Sequence, residues 1–147
     1  MRPINEIIIH CTDTRPNWWA DKSPRDKVAE IRRWHVQDRG WSDIGYHFVI
    51  DRDGTVVVGR PVEKSGAHTK GHNADSIGIS LMGGHGSASS DAFDDHFTPE
   101  QRIALRALML AIDGAFPAIV WLGHNAVAAK ACPGFQVDAA FLKEMGL

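Results

Sequence analysis

The chain has 147 residues, of which 44% are apolar and 23% charged, with a net charge of -2. That is enough sequence for one ordinary domain with a real core, and too apolar for a disordered chain. Sixteen Lys and Arg against eighteen Asp and Glu leave no basic excess, which excludes the usual nucleic-acid footprint, and no apolar run approaches the roughly 20 residues that span a bilayer.

The opening Met-Arg-Pro-Ile-Asn-Glu carries no apolar run of the signal-peptide kind, so synthesis in the cytoplasm is expected. Two cysteines cannot form a disulfide framework at this size. Eight histidines beside them direct attention to a metal site.

In chain order, Ile7-Ile8-Ile9-His10 reads as a buried strand, followed by a loop over 12–22. Ser23-Pro24 forms a helix start, with Gly40 a natural stop, so a helix is expected over about 24–39. Tyr46 to Ile50 alternates, with Tyr46, Phe48 and Ile50 on one face and His47 and Val49 on the other. Arg52-Asp53-Gly54 is a turn signal, and Thr55 to Val58 completes a hairpin. A loop over 60–75 precedes the strand Ile77–Leu81, and Gly83 to Ser90 reads as an exposed, mobile loop.

Thr98-Pro99-Glu100-Gln101 is a capping box, and the helix it starts places Ala104, Leu108, Ala111, Ile112 and Ala115 on one face until Pro117 ends it. Ile119 to Leu122 is a short strand, Asn125 to Gly134 a loop, and 137–145 a last helix. The order β–α–β–β–β–α–β–α predicts a single α/β domain over 1–147, with one mixed sheet flanked by helices.

His10 and His124 both end apolar strands, at the rim of the sheet where ligands commonly bind. Cys132 follows His124 across a loop. Two imidazoles and a thiolate suit zinc, and three protein ligands leave a position open, as catalytic sites require. Each also has a plain reading, a capping histidine or a small buried cysteine. Cys11 adjoins His10 on the strand, points the other way and belongs to the core. Lys130, two residues before Cys132, is either a solvated charge or a stabiliser of a tetrahedral oxyanion. Tyr46, the only tyrosine, is either a core aromatic or a hydroxyl serving the same oxyanion.

His10-Cys11-Thr12, Gly45-Tyr46-His47-Phe48, Gly66 to Asn73, Ser76-Ile77-Gly78-Ile79 and His124-x5-Lys130-x-Cys132-Pro133 occur together and in order. This set resembles the zinc-dependent N-acetylmuramoyl-L-alanine amidases, which include small phage lysozyme-amidases and animal peptidoglycan recognition proteins. The resemblance runs from about residue 5 to 140. It implies one Zn2+ held by His10, His124 and Cys132, with Tyr46 and Lys130 catalytic. It places His68 and Asn73 beside the cleft for the peptide stem, and His47 in the groove or behind the ligands. A related recycling branch carries Asp as third ligand, so Cys132 points to the phage and recognition-protein side.

The resemblance also implies the reaction, cleavage of the amide between the lactyl group of N-acetylmuramic acid and L-alanine. It suggests a phage or prophage endolysin, acting as a monomer and reaching the wall after membrane permeabilisation. Trp18 and Trp19 either line the substrate groove or pack over the helix, with packing the favoured reading. A non-catalytic peptidoglycan-binding module on the same fold is the first alternative. A cysteine-nucleophile endopeptidase and a purely structural zinc protein follow.

Overall fold

The computed structural model describes all 147 residues. Its sheet contains β1 (Glu6–Cys11), β2 (Phe48–Ile50), β3 (Val56–Val58), β4 (Ser76–Leu81) and β5 (Val120–Gly123) in the order β3-β2-β4-β1-β5. β1 runs parallel to β4 and β5, β2 runs parallel to β4, and only the β2–β3 hairpin is antiparallel. The mixed sheet expected from the sequence is therefore present.

β1 and β4 lie in the middle, which explains the unbroken Ile7-Ile8-Ile9 run. A parallel strand covered on both faces has no polar side to alternate with. Ile7, Ile9, Ile77, Ile79 and Leu81 face the larger core, together with Leu105 and Met109 of α3 (Pro99–Ala115) and Phe141 of α4 (Ala139–Glu144). The other face carries a smaller cluster in which Val28 and Ile31 of α1 (Pro24–Arg33) meet Val49.

The caps act as the sequence predicts. Ser23 Oγ accepts from the Asp26 amide at the start of α1. At α3, Thr98 Oγ1 accepts from the Gln101 amide while Gln101 Oε1 accepts from the Thr98 amide. Gln101 does more: its fully buried amide donates to the carbonyls of Ile50 and Met82, tying the helix start to the ends of β2 and β4.

Four expectations need correction. The helix over 24–39 is α-helical only to Arg33 and widens into a π turn over Trp34–Asp38, before Gly40 ends it at φ +76°. The buried stripe of α3 is Gln101, Leu105, Met109 and Ile112; Ala111 and Ala115 of the expected stripe are exposed. A short helix, α2 (Phe93–His96), was not anticipated. Gly83 and Gly84 are buried rather than exposed, and both are held to Thr14, through its amide and through a parallel bridge.

Candidate metal centre and cleft

The end of β1 delivers His10 to the sheet face that α1 only partly covers. β5 ends at Gly123, and a single 3-10 turn over His124–Ala126 follows at once. That placement brings His124 beside His10, with ring centroids 4.5 Å apart. The loop after it returns Cys132 to the tip of β1, where its Sγ accepts from the Cys11 amide at 3.2 Å.

One ligand atom from each of His10, His124 and Cys132 lies within 4.8 Å of the others. Cys132 Sγ is 3.8 Å from His10 Nδ1. A tetrahedral zinc with ordinary Zn–S and Zn–N bonds holds such atoms roughly 3.5 Å apart. The donor set and its spacing therefore fit a zinc ion.

His10 is aimed by its other nitrogen. Nε2 is 2.9 Å from His68 Nδ1 and 3.2 Å from Thr69 Oγ1, and His68 Nε2 in turn is 3.1 Å from Ser76 Oγ. Of the two proton arrangements the chain allows, a metal on His10 Nδ1 requires the one in which His10 Nε2–H donates to His68 and His68 Nε2–H donates to Ser76. It leaves His10 Nδ1 with its lone pair toward the ligand group. His68 fits only because Gly78 lies below it; a Cβ there would stand 2.6 Å from the ring.

Protonation favours a metal too. Burial, then His68 and His124, hold His10 well below the usual histidine range. Burial, then Lys130, lower His124, and burial brings His68 down to about 3. All three are neutral at neutral pH, as metal binding requires. The Cys132 thiol is pushed up by its contact with the Cys11 thiol and by burial, so a metal binding there would have to displace its proton.

The group opens on a cleft of about 1100 Å³, large enough for a sizeable ligand. Tyr46 stands against it, 5.3 Å from His10 between ring centroids. Lys130 is exposed on the same cleft. His68 and Asn73 also border it. Asn73 Oδ1 accepts from the amides of both His68 and Thr69, so its visible work is to shape that loop.

His47 is placed differently. It is fully buried, its Nδ1 accepts from the Gly78 amide, and its Nε2 meets the Lys64 carbonyl. Its ring closes the β2–β4 ladder and has no surface on the cleft. Tyr46 lies with the Val49 cluster, not with Phe48 and Ile50, so the expected alternation fails at its first residue. Trp18 and Trp19 stack on each other, Trp18 packs on Trp34, and neither borders the cleft.

Three cleft features escaped the sequence. His35, delivered by the π turn, accepts from the Gly45 amide and packs against Tyr46. Arg39 lies 5.2 Å from the Trp41 ring at the same side. Gly84 to Ser87 also line the cleft. Only the Arg39-Gly40-Trp41 cluster had a local signal, a basic and an aromatic residue around a turn.

Residues 1–135 match the family model described as N-acetylmuramoyl-L-alanine amidase. The chain belongs to this amidase family. It is 43% identical over 131 residues to the endolysin of Escherichia phage T7, covering 89% of this chain and 81% of that protein. Among solved structures, the Ph2119 endolysin of a Thermus scotoductus bacteriophage superposes with a TM-score of 0.77 at 27% identity, over 99% of this chain and 86% of that one. Wild-type Drosophila PGRP-LB gives 0.75 at 27% identity, over 96% and 81%. An amidase of this family hydrolyses an amide in peptidoglycan. No helix is long and apolar enough to cross a membrane.

Proposed function

We propose that the chain is a zinc-dependent endolysin that cuts the amide between the lactyl group of N-acetylmuramic acid and L-alanine. The observation that carries this reading is the convergence of His10, His124 and Cys132 in one cleft with Tyr46 and Lys130. One Zn2+ is held by the three ligands. The enzyme works as a monomer on wall exposed after membrane permeabilisation.

When bound, zinc supplies a Lewis acid for the amide carbonyl and a lowered pKa for water. The remaining work belongs to the chain. His68 holds the outer nitrogen of His10 and keeps Nδ1 on target. Lys130 presents a cation where negative charge builds on the carbonyl oxygen, and Tyr46 presents a phenolic O–H to the same region. Donors of this kind are worth about a hundredfold in rate or more. The departing L-alanine amine takes up a proton, which Lys130, Tyr46 or water can give. The wall at Gly84 to Ser87 and the loop holding His68 and Asn73 flank the path of the peptide stem.

The test is a digest of purified peptidoglycan analysed by mass spectrometry, with and without a chelator. Intact glycan strands, newly free L-alanine amines, loss with chelator and recovery with zinc are expected. Wall retention without cleavage would instead assign a binding module.

A further inference from the structure

Arg2 has no surface on the cleft, yet its half-buried guanidinium grips the loop between β3 and β4 that carries His68. Nε donates to the Val62 carbonyl at 2.9 Å, and Nη1 to the carbonyls of Asn73 and Ala74 at 3.4 and 3.1 Å. Nη2 donates to the Ser76 carbonyl at 2.7 Å and lies 3.1 Å from His47 Nε2. A guanidinium presents its donors in a fixed fork, so these four carbonyls are held in one relative geometry. Two of them belong to the residues that aim His68. Asn73 Oδ1 accepts from the His68 amide, and Ser76 Oγ is 3.1 Å from His68 Nε2. His68 Nδ1 in turn stands 2.9 Å from His10 Nε2.

We infer that Arg2 is a positioning residue for the ligand group: by fixing the backbones of Asn73 and Ser76 it fixes the His68 ring, and through that ring His10. A ligand imidazole is aimed by the partner of its other nitrogen, and such a partner aims only as well as its own support holds it. The loop has little regular structure to supply that support, only a 3-10 turn over Asn73–Asp75. Its shape therefore depends on side-chain ties. Asn5 and Glu6 tie the same loop at Asp75 and His72, but neither Asp75 nor His72 is hydrogen-bonded to His68. Arg2 alone of these three holds the residues that do. The inference rests on the reading of His10, His124 and Cys132 as zinc ligands.

Arg2→Ala should weaken zinc binding about tenfold, the lower end of the loss that follows when an outer partner of a metal ligand is disturbed. Competition against a chelator reads this directly. Arg2→Lys keeps the charge but cannot fork to four carbonyls, and should also bind zinc more weakly than the parent. His72→Ala loosens the same loop at another point and should bind zinc as the parent does. In a His68→Ala background, Arg2→Ala should cost nothing more, whereas a general loss of stability would still weaken binding there. Hydrogen exchange at the His68 and Thr69 amides, which both donate to Asn73 Oδ1, should quicken in Arg2→Ala with or without zinc. Parent-like zinc affinity in either Arg2 variant, an equal loss in His72→Ala, or losses that multiply in the double variant would overturn the inference. A parent protein that bound no zinc would instead remove the zinc reading, while quickened exchange would still establish the hold of Arg2 on His68.

Discussion

His10 Nε2 and His68 Nδ1 stand 2.9 Å apart in a buried contact between two imidazoles. Metal-binding histidines usually give their second N–H to a carboxylate, carbonyl or water. Here the acceptor is a neutral ring, which brings no negative charge toward the ligand group.

His68→Ala removes that acceptor, and zinc affinity should fall by about 10-fold to 100-fold. A competition titration against a chromophoric chelator measures this. Affinity equal to the parent's would show that the contact does not aim His10.

Cys132→Ser should abolish stoichiometric zinc binding and hydrolysis together. Cys132 is only half-buried and the substitution keeps its shape, so the far-ultraviolet circular dichroism should match the parent. A variant that still carried one zinc and cut peptidoglycan would exclude Cys132 as a ligand.

Lys130→Ala tests charge at the cleft wall. The side chain is exposed, so stability should stay within about 0.5 kcal/mol. The kcat should drop about a hundredfold, with KM nearly constant. A change confined to KM would move Lys130 from the reaction to substrate binding.

Gly78→Ala places a methyl 2.6 Å from the His68 ring. Overpacking of this kind costs roughly 1–3 kcal/mol, and the displaced ring should weaken zinc binding as well. Urea denaturation and metal titration read the two effects separately. Parent-like values in both would mean that His68 has room to move.

His35 gives a pH signature. Burial, then the charges of Arg39 and Arg60, lower its pKa from 6.5 to about 4. The folded protein holds it neutral while the unfolded chain takes up a proton between these values. Its contribution is whole above pH 6.5 and is lost as pH falls through 4. His35→Asn keeps an acceptor for the Gly45 amide without titrating in this range. Its stability should therefore fall less steeply between pH 6.5 and 4 than the parent's. Parallel profiles would rule His35 out as a source of the slope.

Ile7 to Ile9 and the capping box at Thr98 were legible because each is a local pattern with one structural solution. The ordered motifs around His10, Tyr46 and Lys130 were legible by resemblance. The π turn at Trp34–Asp38 was not, since a register change from i→i+4 to i→i+5 needs no special composition, and His35 went unread with it. The side of Tyr46 was misread because β2 begins only at Phe48; strand alternation does not extend to a residue outside the strand. The buried face of α3 was drawn through alanines, whose small side chains mark either surface. His47 looked like a groove residue because nothing local reveals that its ring replaces a carbonyl in the β2–β4 ladder.

β1 is paired on both sides by strands that arrive much later, β4 at Ser76 and β5 at Val120. The first residue of the candidate ligand group, His10, therefore precedes the other two, His124 and Cys132, by more than a hundred residues of chain. A ribosome-bound chain that has not yet released β5 has an open edge on β1 and a single imidazole where three donors are needed. In the folded chain, His124 and Cys132 reach His10 only across the β1–β5 pairing, so assembling the candidate ligand group and closing this edge of the sheet are one and the same structural event.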